Sequence, residues 1–213
     1  MAKLLISNLG TIGYNAAWDA QREAHARVLA GGSHELIFCQ HPHVYTLGSQ
    51  TKLEHLLMDD AGYRAIGAEL VKTDRGGDVT YHGPGQLVGY PILDLARLSC
   101  GQDLHKFLRG IEEALIQVLA HYGLQAQRNP GKTGVWVGGE KIAAIGFKCK
   151  RWVSMHGFAL NVSPDLSYFS KIIPCGLTEP VTSMAALLGD ALPAWQELET
   201  ACTDALISEF KPQ

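Results

Sequence analysis

The chain has 213 residues, of which 46% are hydrophobic and 18% charged, and its formal net charge at pH 7 is −3. Such a composition provides enough apolar surface for a packed core and excludes a disordered chain. A slightly acidic chain is not expected to bind nucleic acid through an overall basic surface. The length fits one domain spanning residues 1–213.

The apolar segments are too short for a membrane span of about 18 residues, and the N-terminal stretch lacks the features of a signal peptide. The five cysteines are odd in number, widely spaced and form no C-x-x-C motif. This pattern is typical of free thiols in a reducing compartment. We therefore expect a cytoplasmic protein that binds neither a membrane nor nucleic acid.

Hydrophobic periodicity predicts alternating helices and strands along the chain. The predicted helices are Tyr14–Leu29, a helix capped by Asp103 that runs to Tyr122, Ser183–Gly189 and Pro193–Phe210. The predicted strands are Glu35–Gln40, Val44–Leu47, Val135–Val137, Lys141–Ala143 and Trp152–Val162, with a tight hairpin at Gly138-Gly139. These elements predict an α+β domain in which helices pack on a mixed or antiparallel sheet.

A glycine-rich segment, residues 75–86 (RGGDVTYHGPGQ), is the most unusual stretch of the chain. It matches neither a P-loop nor a dinucleotide fingerprint. One interpretation is two surface turns around a short strand, Val79–Tyr81. The other is a binding loop, because glycine lets backbone N–H groups approach a ligand closely. The polar side chains among the glycines favour the binding loop.

Four of the cysteines have neighbours that point to a structural role or to no marked reactivity. Cys39 and Cys202 have apolar neighbours and are predicted to be buried and structural. Cys100 lies in a Ser-Cys-Gly turn that could be exposed. Cys149 lies between two lysines, which can lower a thiol pKa, but neighbours in a strand point to opposite faces.

Cys175 is the strongest nucleophile candidate. Pro174 fixes the backbone before it, and Gly176 leaves room for a substrate beside it. Among the histidines, His82 and His156 are candidates for positioning groups. We expect no metal site, because the His41-x-His43 pair has no cysteine or carboxylate partner at ligand spacing.

Four segments in this order resemble the lipoyl (octanoyl) transferase family: residues 75–86, Thr133–Val137 with Lys141–Gly146, His156–Asn161 and Pro174–Gly176. The resemblance spans most of the chain, and Asp78 is at a position expected to vary. It implies a single octanoyltransferase catalytic domain over residues 1–213, with a fold similar to the lipoate and biotin protein ligases. The implied reaction moves an octanoyl group from acyl carrier protein to a lysine of a lipoyl domain.

The resemblance also implies site residues. Cys175 would carry the acyl group as a thioester, and Lys141 would lower its pKa and help move protons. The substrate site would be lined by Arg75, Gly76, Gly77, Asp78, Val79, Thr80, Tyr81, His82, Ala144, Ile145, Gly146, Gly157, Phe158 and Ala159. No ATP, metal or other cofactor is expected, because amide formation from a thioester runs downhill.

The implied partners are proteins. Acyl carrier protein would be the donor, and the acceptors would be the lipoyl domains of 2-oxoacid dehydrogenase complexes and the glycine cleavage H protein. A basic run agrees with an acidic carrier: Arg128, Lys132, Lys141, Lys148, Lys150 and Arg151 stand against a single acid, Glu140. We hypothesise that Lys148, Lys150 and Arg151 contact the carrier; an ordinary solvated face is the alternative.

Three other functions stay open from the sequence. An ATP-dependent lipoate ligase of the same fold would need no nucleophilic cysteine. A cysteine hydrolase would pair Cys175 with His82 or His156 and release free octanoate. A non-enzymatic module that binds a small molecule or a carrier protein would form no covalent adduct.

Overall fold

The computed structural model describes residues 4–173 and 180–212. The strands are β1 Leu4–Thr11, β2 His34–Gln40, β3 Val44–Leu47, β4 Glu69–Lys72, β5 Thr80–His82, β6 Gln86–Ile92, β7 Ala126–Gln127, β8 Val135–Val137, β9 Glu140–Lys150 and β10 Val153–Asn161. The α-helices are α1 Tyr14–Leu29, α2 Asp60–Ala65, α3 Leu104–His121, α4 Met184–Leu188 and α5 Trp195–Glu209. Short 3₁₀ turns include Leu53–His55 and Leu166–Lys171.

Seven strands form a large sheet in the order β1-β2-β6-β10-β9-β8-β7. Strands β1 and β2 are parallel, and the other neighbouring pairs are antiparallel. A sheet of this kind needs an apolar cover on each buried face, and helices supply it here. The predicted α+β fold with a mixed sheet is confirmed.

Helices α3 and α5 cover one face of the large sheet, and α1 covers the other. In α3, Phe107, Ile111 and Leu115 recur at helical spacing and are buried against α5 and the sheet. The helix begins where expected, because the Asp103 carboxylate accepts hydrogen bonds from the N–H groups of His105 and Lys106.

A small sheet in the order β4-β3-β5 stands beside the large one. Its core is aromatic, with Tyr45, Tyr63 and Tyr81 each at most 1% exposed. The Tyr45 hydroxyl donates to the carbonyl of Tyr168, which ties the 3₁₀ turn at residues 166–171 to this sheet. The glycine-rich segment, which contains β5, is attached to β9 through the hydrogen bond from the Gly76 N–H to the Phe147 carbonyl.

Within the described ranges, no helix is long and apolar enough to cross a membrane.

Candidate active site

A cavity of about 1020 Å³ is lined by both sheets and by the loops between them. The glycine-rich segment contributes Arg75, Gly77, Asp78, Val79, Thr80 and His82. Strands β9 and β10 contribute Lys141, Ala144, Ile145, Gly146, His156, Gly157, Phe158, Ala159 and Asn161. Thirteen of the predicted site residues therefore line one cavity, although they come from three separate stretches of the sequence.

Two cross-strand pairs in the wall formed by β9 and β10 have the smallest side chains. Ala144 is paired with Ala159, and Gly146 is paired with Gly157. All four residues line the cavity. Because none of them has a side chain larger than a methyl group, the two strands leave room for a ligand along their length.

The glycine-rich segment is mostly buried, in contrast to the surface turns considered from sequence. Arg75 is 6% exposed, and its guanidinium donates to the Thr46 carbonyl at 2.6 Å and to the Gly76 carbonyl at 3.0 Å. Burial lowers the pKa of the Arg75 guanidinium. The N–H of Gly76 donates to the Phe147 carbonyl at 3.0 Å, which attaches the segment to β9.

Among the predicted site residues that the structure describes, Gly76 and Tyr81 do not line the cavity. Gly76 holds the segment to β9 through its backbone. The Tyr81 side chain is instead packed in the aromatic core of the small sheet, where its hydroxyl is 2.8 Å from His43 Nδ1. Strand alternation explains the difference, because Thr80 and His82 on either side of Tyr81 do line the cavity.

Lys141 lies in β9 and is tied to the chain that follows Cys175. Its N–H donates to the Pro180 carbonyl at 2.8 Å, and its carbonyl accepts from the N–H of Thr182 at 3.0 Å. Its ammonium lies 5.1 Å from the centre of the Trp136 ring, within the range of a cation–π interaction. The Lys141 side chain is therefore held at the cavity wall.

Cys175 lies outside the described residues. The chain is described up to Ile173, whose N–H donates to the His55 carbonyl at 2.9 Å, and again from Pro180. Both Ile173 and Pro180 line the cavity. The two ends between which Cys175 lies in sequence are thus both attached to the cavity wall.

His156 lies in β10 with a left-handed backbone, at a φ of 60°, which is unusual for a residue other than glycine. Its N–H donates to Gln21 Oε1 at 2.8 Å. Burial lowers the pKa of its imidazole, so the neutral ring donates from Nε2 to Asp74 Oδ1 at 2.8 Å and accepts at Nδ1 from the Tyr14 hydroxyl at 3.3 Å.

His82 is buried beside Tyr14, the hydrogen-bond partner of His156. Its ring stacks on that of Tyr14 with centroids 5.9 Å apart. Its Nδ1 is buried without a hydrogen-bond partner among the described residues. Burial, with smaller effects from His41 and Arg75, holds the pKa of His82 well below its usual range. The cavity therefore has a polar region formed by neutral histidines and tyrosines.

Sequence reasoning missed Tyr14, Asp74 and Tyr90 in this region. Tyr14 and Tyr90 line the cavity, and Tyr90 donates to His41 Nε2 at 2.7 Å, because the Nδ1 of His41 donates to the Ile12 carbonyl. The sequence pattern predicted only that Tyr14 lies in a helix, so no local pattern could have assigned it to the cavity.

The described cysteines show no sign of activation. Cys39 and Cys202 are buried, as predicted, and burial raises the pKa of each thiol to about 12. Cys100 is also buried, which corrects the expectation that its turn could be exposed. Burial raises the pKa of Cys149, so its flanking lysines do not activate it.

Two cations of the basic run are paired with acidic side chains. Arg128 is paired with Glu112 and Glu113, and Lys148 is paired with Asp74 at 2.5 Å. Lys150 ends β9, roughly 30 Å along the strand from Lys141 at about 3.3 Å per residue. The hypothesised carrier contacts at Lys148, Lys150 and Arg151 therefore stand away from the Lys141 end of the cavity.

The fold is shared with solved ligases. A lipoate-protein ligase A bound with ATP has a TM-score of 0.77 at 18% identity, covering 98% of this chain and 85% of that one. A bipartite lipoate protein ligase from Thermoplasma acidophilum has a TM-score of 0.76 at 19% identity, with coverages of 98% and 84%. A biotin protein ligase from Aquifex aeolicus has a TM-score of 0.54 at 9% identity, with coverages of 98% and 69%. The predicted similarity to these two kinds of ligase is confirmed at the level of fold.

The sequence comparisons define the family. The family model of the lipoyl protein ligase A/B catalytic domain matches residues 13–207. An octanoyltransferase from Gloeobacter violaceus is 52% identical over 189 residues, covering 88% of this chain and 82% of that protein. One from Solibacter usitatus is 52% identical over 188 residues, with coverages of 88% and 84%. The chain belongs to the lipoyl protein ligase A/B catalytic domain family, and its predicted class, an acyltransferase related to the octanoyltransferases, is confirmed.

Proposed function

We propose that this protein transfers an octanoyl group from acyl carrier protein to a lysine of a lipoyl domain, through a thioester on Cys175. One observation carries the proposal. The backbone of Lys141 is hydrogen-bonded to residues 180–182, and Ile173 is hydrogen-bonded to His55, so both ends of the stretch that contains Cys175 are attached to the same cavity. Two residues of chain span at most about 7 Å, which keeps Cys175 close to Ile173.

The first half of the reaction is thioester exchange. The Cys175 thiolate attacks the octanoyl carbonyl, the new C–S bond forms, and the carrier's thiolate leaves and takes a proton from the Lys141 ammonium, which becomes neutral. An ammonium near a thiol lowers the thiol pKa and raises the thiolate fraction at neutral pH. Lys141 supplies that charge in our proposal, and the exchange needs no activation because the two thioesters are nearly equal in energy.

The second half forms an amide. The neutral amine of the acceptor lysine attacks the octanoyl–Cys175 thioester, the C–N bond forms, and the Cys175 thiolate leaves. Lys141 in its neutral form takes the proton that the attacking amine loses. Backbone N–H groups of the glycine-rich segment are the donors that we assign to the oxyanion of both tetrahedral intermediates.

The octanoyl chain lies, in this proposal, along the small side chains of β9 and β10. Ala144, Gly146, Gly157 and Ala159 line the cavity as two cross-strand pairs. The residues of the glycine-rich segment that line the cavity form the opposite wall: Arg75, Gly77, Asp78, Val79, Thr80 and His82. We propose that residues 1–213 act as one catalytic domain in the cytoplasm, where the free thiols expected from the cysteine pattern persist.

The acceptors that we propose are the lipoyl domains of 2-oxoacid dehydrogenase complexes and the glycine cleavage H protein. The relatives' shared name, octanoyltransferase, supports the acyl group. The donor and the acceptors are identified by experiment. A direct assay would supply octanoyl–acyl carrier protein and each acceptor in turn, without ATP, and follow the mass of the acceptor.

The intermediate is tested by intact mass. The protein is incubated with octanoyl–acyl carrier protein, without ATP or acceptor, beside a Cys175→Ser variant. We expect an octanoyl adduct that hydroxylamine removes, present on the wild type and absent from the variant. A wild type that stays unmodified by active donor, and acylates a lipoyl domain only when ATP is added, would replace the proposal with the ligase mechanism.

A further inference from the structure

The side chains of Asp78 and His55 form a buried pair that takes no part in the bond-making and proton-transfer steps proposed above. The Asp78 carboxylate lies 2.5 Å from His55 Nδ1, and the two residues are 8% and 7% exposed. The other carboxylate oxygen of Asp78 accepts from the N–H of Val79 at 2.6 Å. The exposed Glu54 carboxylate is 3.9 Å from His55 Nε2 on the solvent side. Asp78 is therefore held within the glycine-rich segment and also tied to the turn at residues 53–55.

The turn at residues 53–55 and the two residues after it are also hydrogen-bonded to residues 171–173, which precede Cys175 in the sequence. The His55 carbonyl accepts from the N–H of Ile173 at 2.9 Å. Leu56 and Ile172 form an antiparallel bridge, and the N–H of Leu57 donates to the Lys171 carbonyl at 3.3 Å. Residues 53–57 therefore link the glycine-rich segment to residues 171–173.

We propose that Asp78 and His55 are a positioning pair for Cys175. Breaking a buried hydrogen bond between two side chains is costly, because each polar group is left without a partner. A buried pair of this kind fixes the relative position of the two segments that carry it. Here one segment lines the substrate cavity, and the other holds Ile173, two residues before Cys175. The inference rests on the proposed role of Cys175.

The test uses four variants of the full chain: Asp78→Ala, His55→Ala, Asp78→Asn and the double alanine variant. Asparagine keeps a hydrogen-bonding group at the same position, so it should restore the geometry without the charge. The readouts are the single-turnover rate of octanoyl transfer to Cys175 and the rate of Cys175 alkylation by iodoacetamide, followed by peptide mass. The melting temperature of each variant is measured beside them.

We expect each alanine variant to slow octanoyl transfer about tenfold per folded molecule and to slow alkylation about threefold, because in the proposed function the Lys141 charge activates the thiol and its effect falls with distance. Asp78→Asn should stay within about threefold of the wild type. The double alanine variant should be no slower than the slower single variant, because residues that act through one interaction are not additive.

A matched control separates positioning from general stability. Glu35 is also 8% exposed and is paired with Arg27 at 2.7 Å, but it does not line the cavity. Glu35→Ala should lower the melting temperature and leave both rates unchanged. Alanine variants at Asp78 and His55 that lose only stability, or an Asp78→Asn variant as slow as Asp78→Ala, would overturn the proposal.

The two readouts also keep this inference apart from the proposed function. If the wild type forms no thioester with active donor, the proposed function fails, while the alkylation rates still report on the position of Cys175. Alkylation that is unchanged in both alanine variants would then overturn the positioning role independently.

Discussion

The side chain of Lys141 lies directly against the backbone of Gly134. A Cβ atom at Gly134 would stand 2.8 Å from Lys141 Cε and 2.7 Å from the Ala143 carbonyl, and the backbone φ there is +137°. Neither contact is tolerated without movement of the lysine or of β9. The absence of a side chain at residue 134 is therefore a condition for the observed position of Lys141.

Gly134→Ala should therefore displace Lys141. We expect a loss of about 1–3 kcal/mol in the free energy of unfolding from backbone strain, together with a fall of at least about tenfold in octanoyl transfer per folded molecule. Urea unfolding and single-turnover acylation measure the two effects. Gly138→Ala is the matched control, because Gly138 also has a positive φ, of 59°, but its Cβ would contact nothing within 4 Å. Equal rates in the two variants would contradict the prediction.

Lys141→Arg should separate the two halves of the reaction. Arginine keeps the positive charge but does not readily lose its proton. We expect acylation of Cys175 to persist at a reduced rate, while transfer from the acylated protein to a lipoyl domain falls about a hundredfold or more. The two rates are measured separately, by intact mass and by acceptor mass. A variant that transfers to the acceptor at the wild-type rate would exclude Lys141 as the proton acceptor.

Four of the five α-helices in the described residues were predicted from local signatures, whereas the six-residue helix α2, Asp60–Ala65, was missed. Asp103 caps α3 as expected, and Phe107, Ile111 and Leu115 pack in the core. Strand β1 was missed because most of its residues are exposed, so Leu4–Thr11 carries no burial pattern. The small sheet was only partly predicted, since its short strands depend on pairing with distant segments.

The family motifs predicted many of the residues that line the cavity, whereas spacing along the sequence predicted none of the contacts among them. His55 and Asp78 are 23 residues apart, and Tyr14 and His156 are 142 residues apart. Contacts over such separations follow from the topology of the sheets, which no local pattern contains. Asp74 illustrates the limit, because its partners His156 and Lys148 lie on β10 and β9.

The buried histidines should make the protein less stable in mild acid. Burial lowers the pKa of both His82 and His156 in the folded protein, while their unfolded pKa is about 6.5. Below pH 6.5 the unfolded chain binds more protons than the folded one, so the free energy of unfolding decreases as the pH decreases. For a histidine that stays neutral when folded, the loss between pH 7 and pH 5 is about 2 kcal/mol.

His82→Gln isolates this effect. Glutamine does not titrate, so the variant should lose about 1–2 kcal/mol less than the wild type between pH 7 and pH 5. Urea unfolding at the two pH values measures the difference, and all other titrating groups are common to both proteins. Parallel losses in the two proteins would mean that His82 is protonated in the folded state.

A larger side chain at Ala144 should restrict the acyl chain. Ala144 lines the cavity next to its cross-strand partner Ala159. A leucine at residue 144 would occupy space that we assign to the octanoyl chain. We expect Ala144→Leu to lower kcat/KM for an octanoyl donor about tenfold or more, with a loss of at most about threefold for a butanoyl donor. The short donor is the internal control, because equal losses for both donors would indicate general disruption of the cavity.

Charge at the Lys141 end of the cavity should matter more for the carrier-bound donor than charge at the far end of β9. Lys132 lines the cavity, whereas Lys150 is roughly 30 Å along β9 from Lys141. We expect Lys132→Glu to lower kcat/KM for octanoyl–acyl carrier protein about fivefold or more at low salt, and to affect a small octanoyl thioester less, because rim charges act mainly on the association of charged partners. Lys150→Glu, the matched control, should change neither. A larger effect from Lys150→Glu would restore the carrier contacts first expected at Lys148, Lys150 and Arg151.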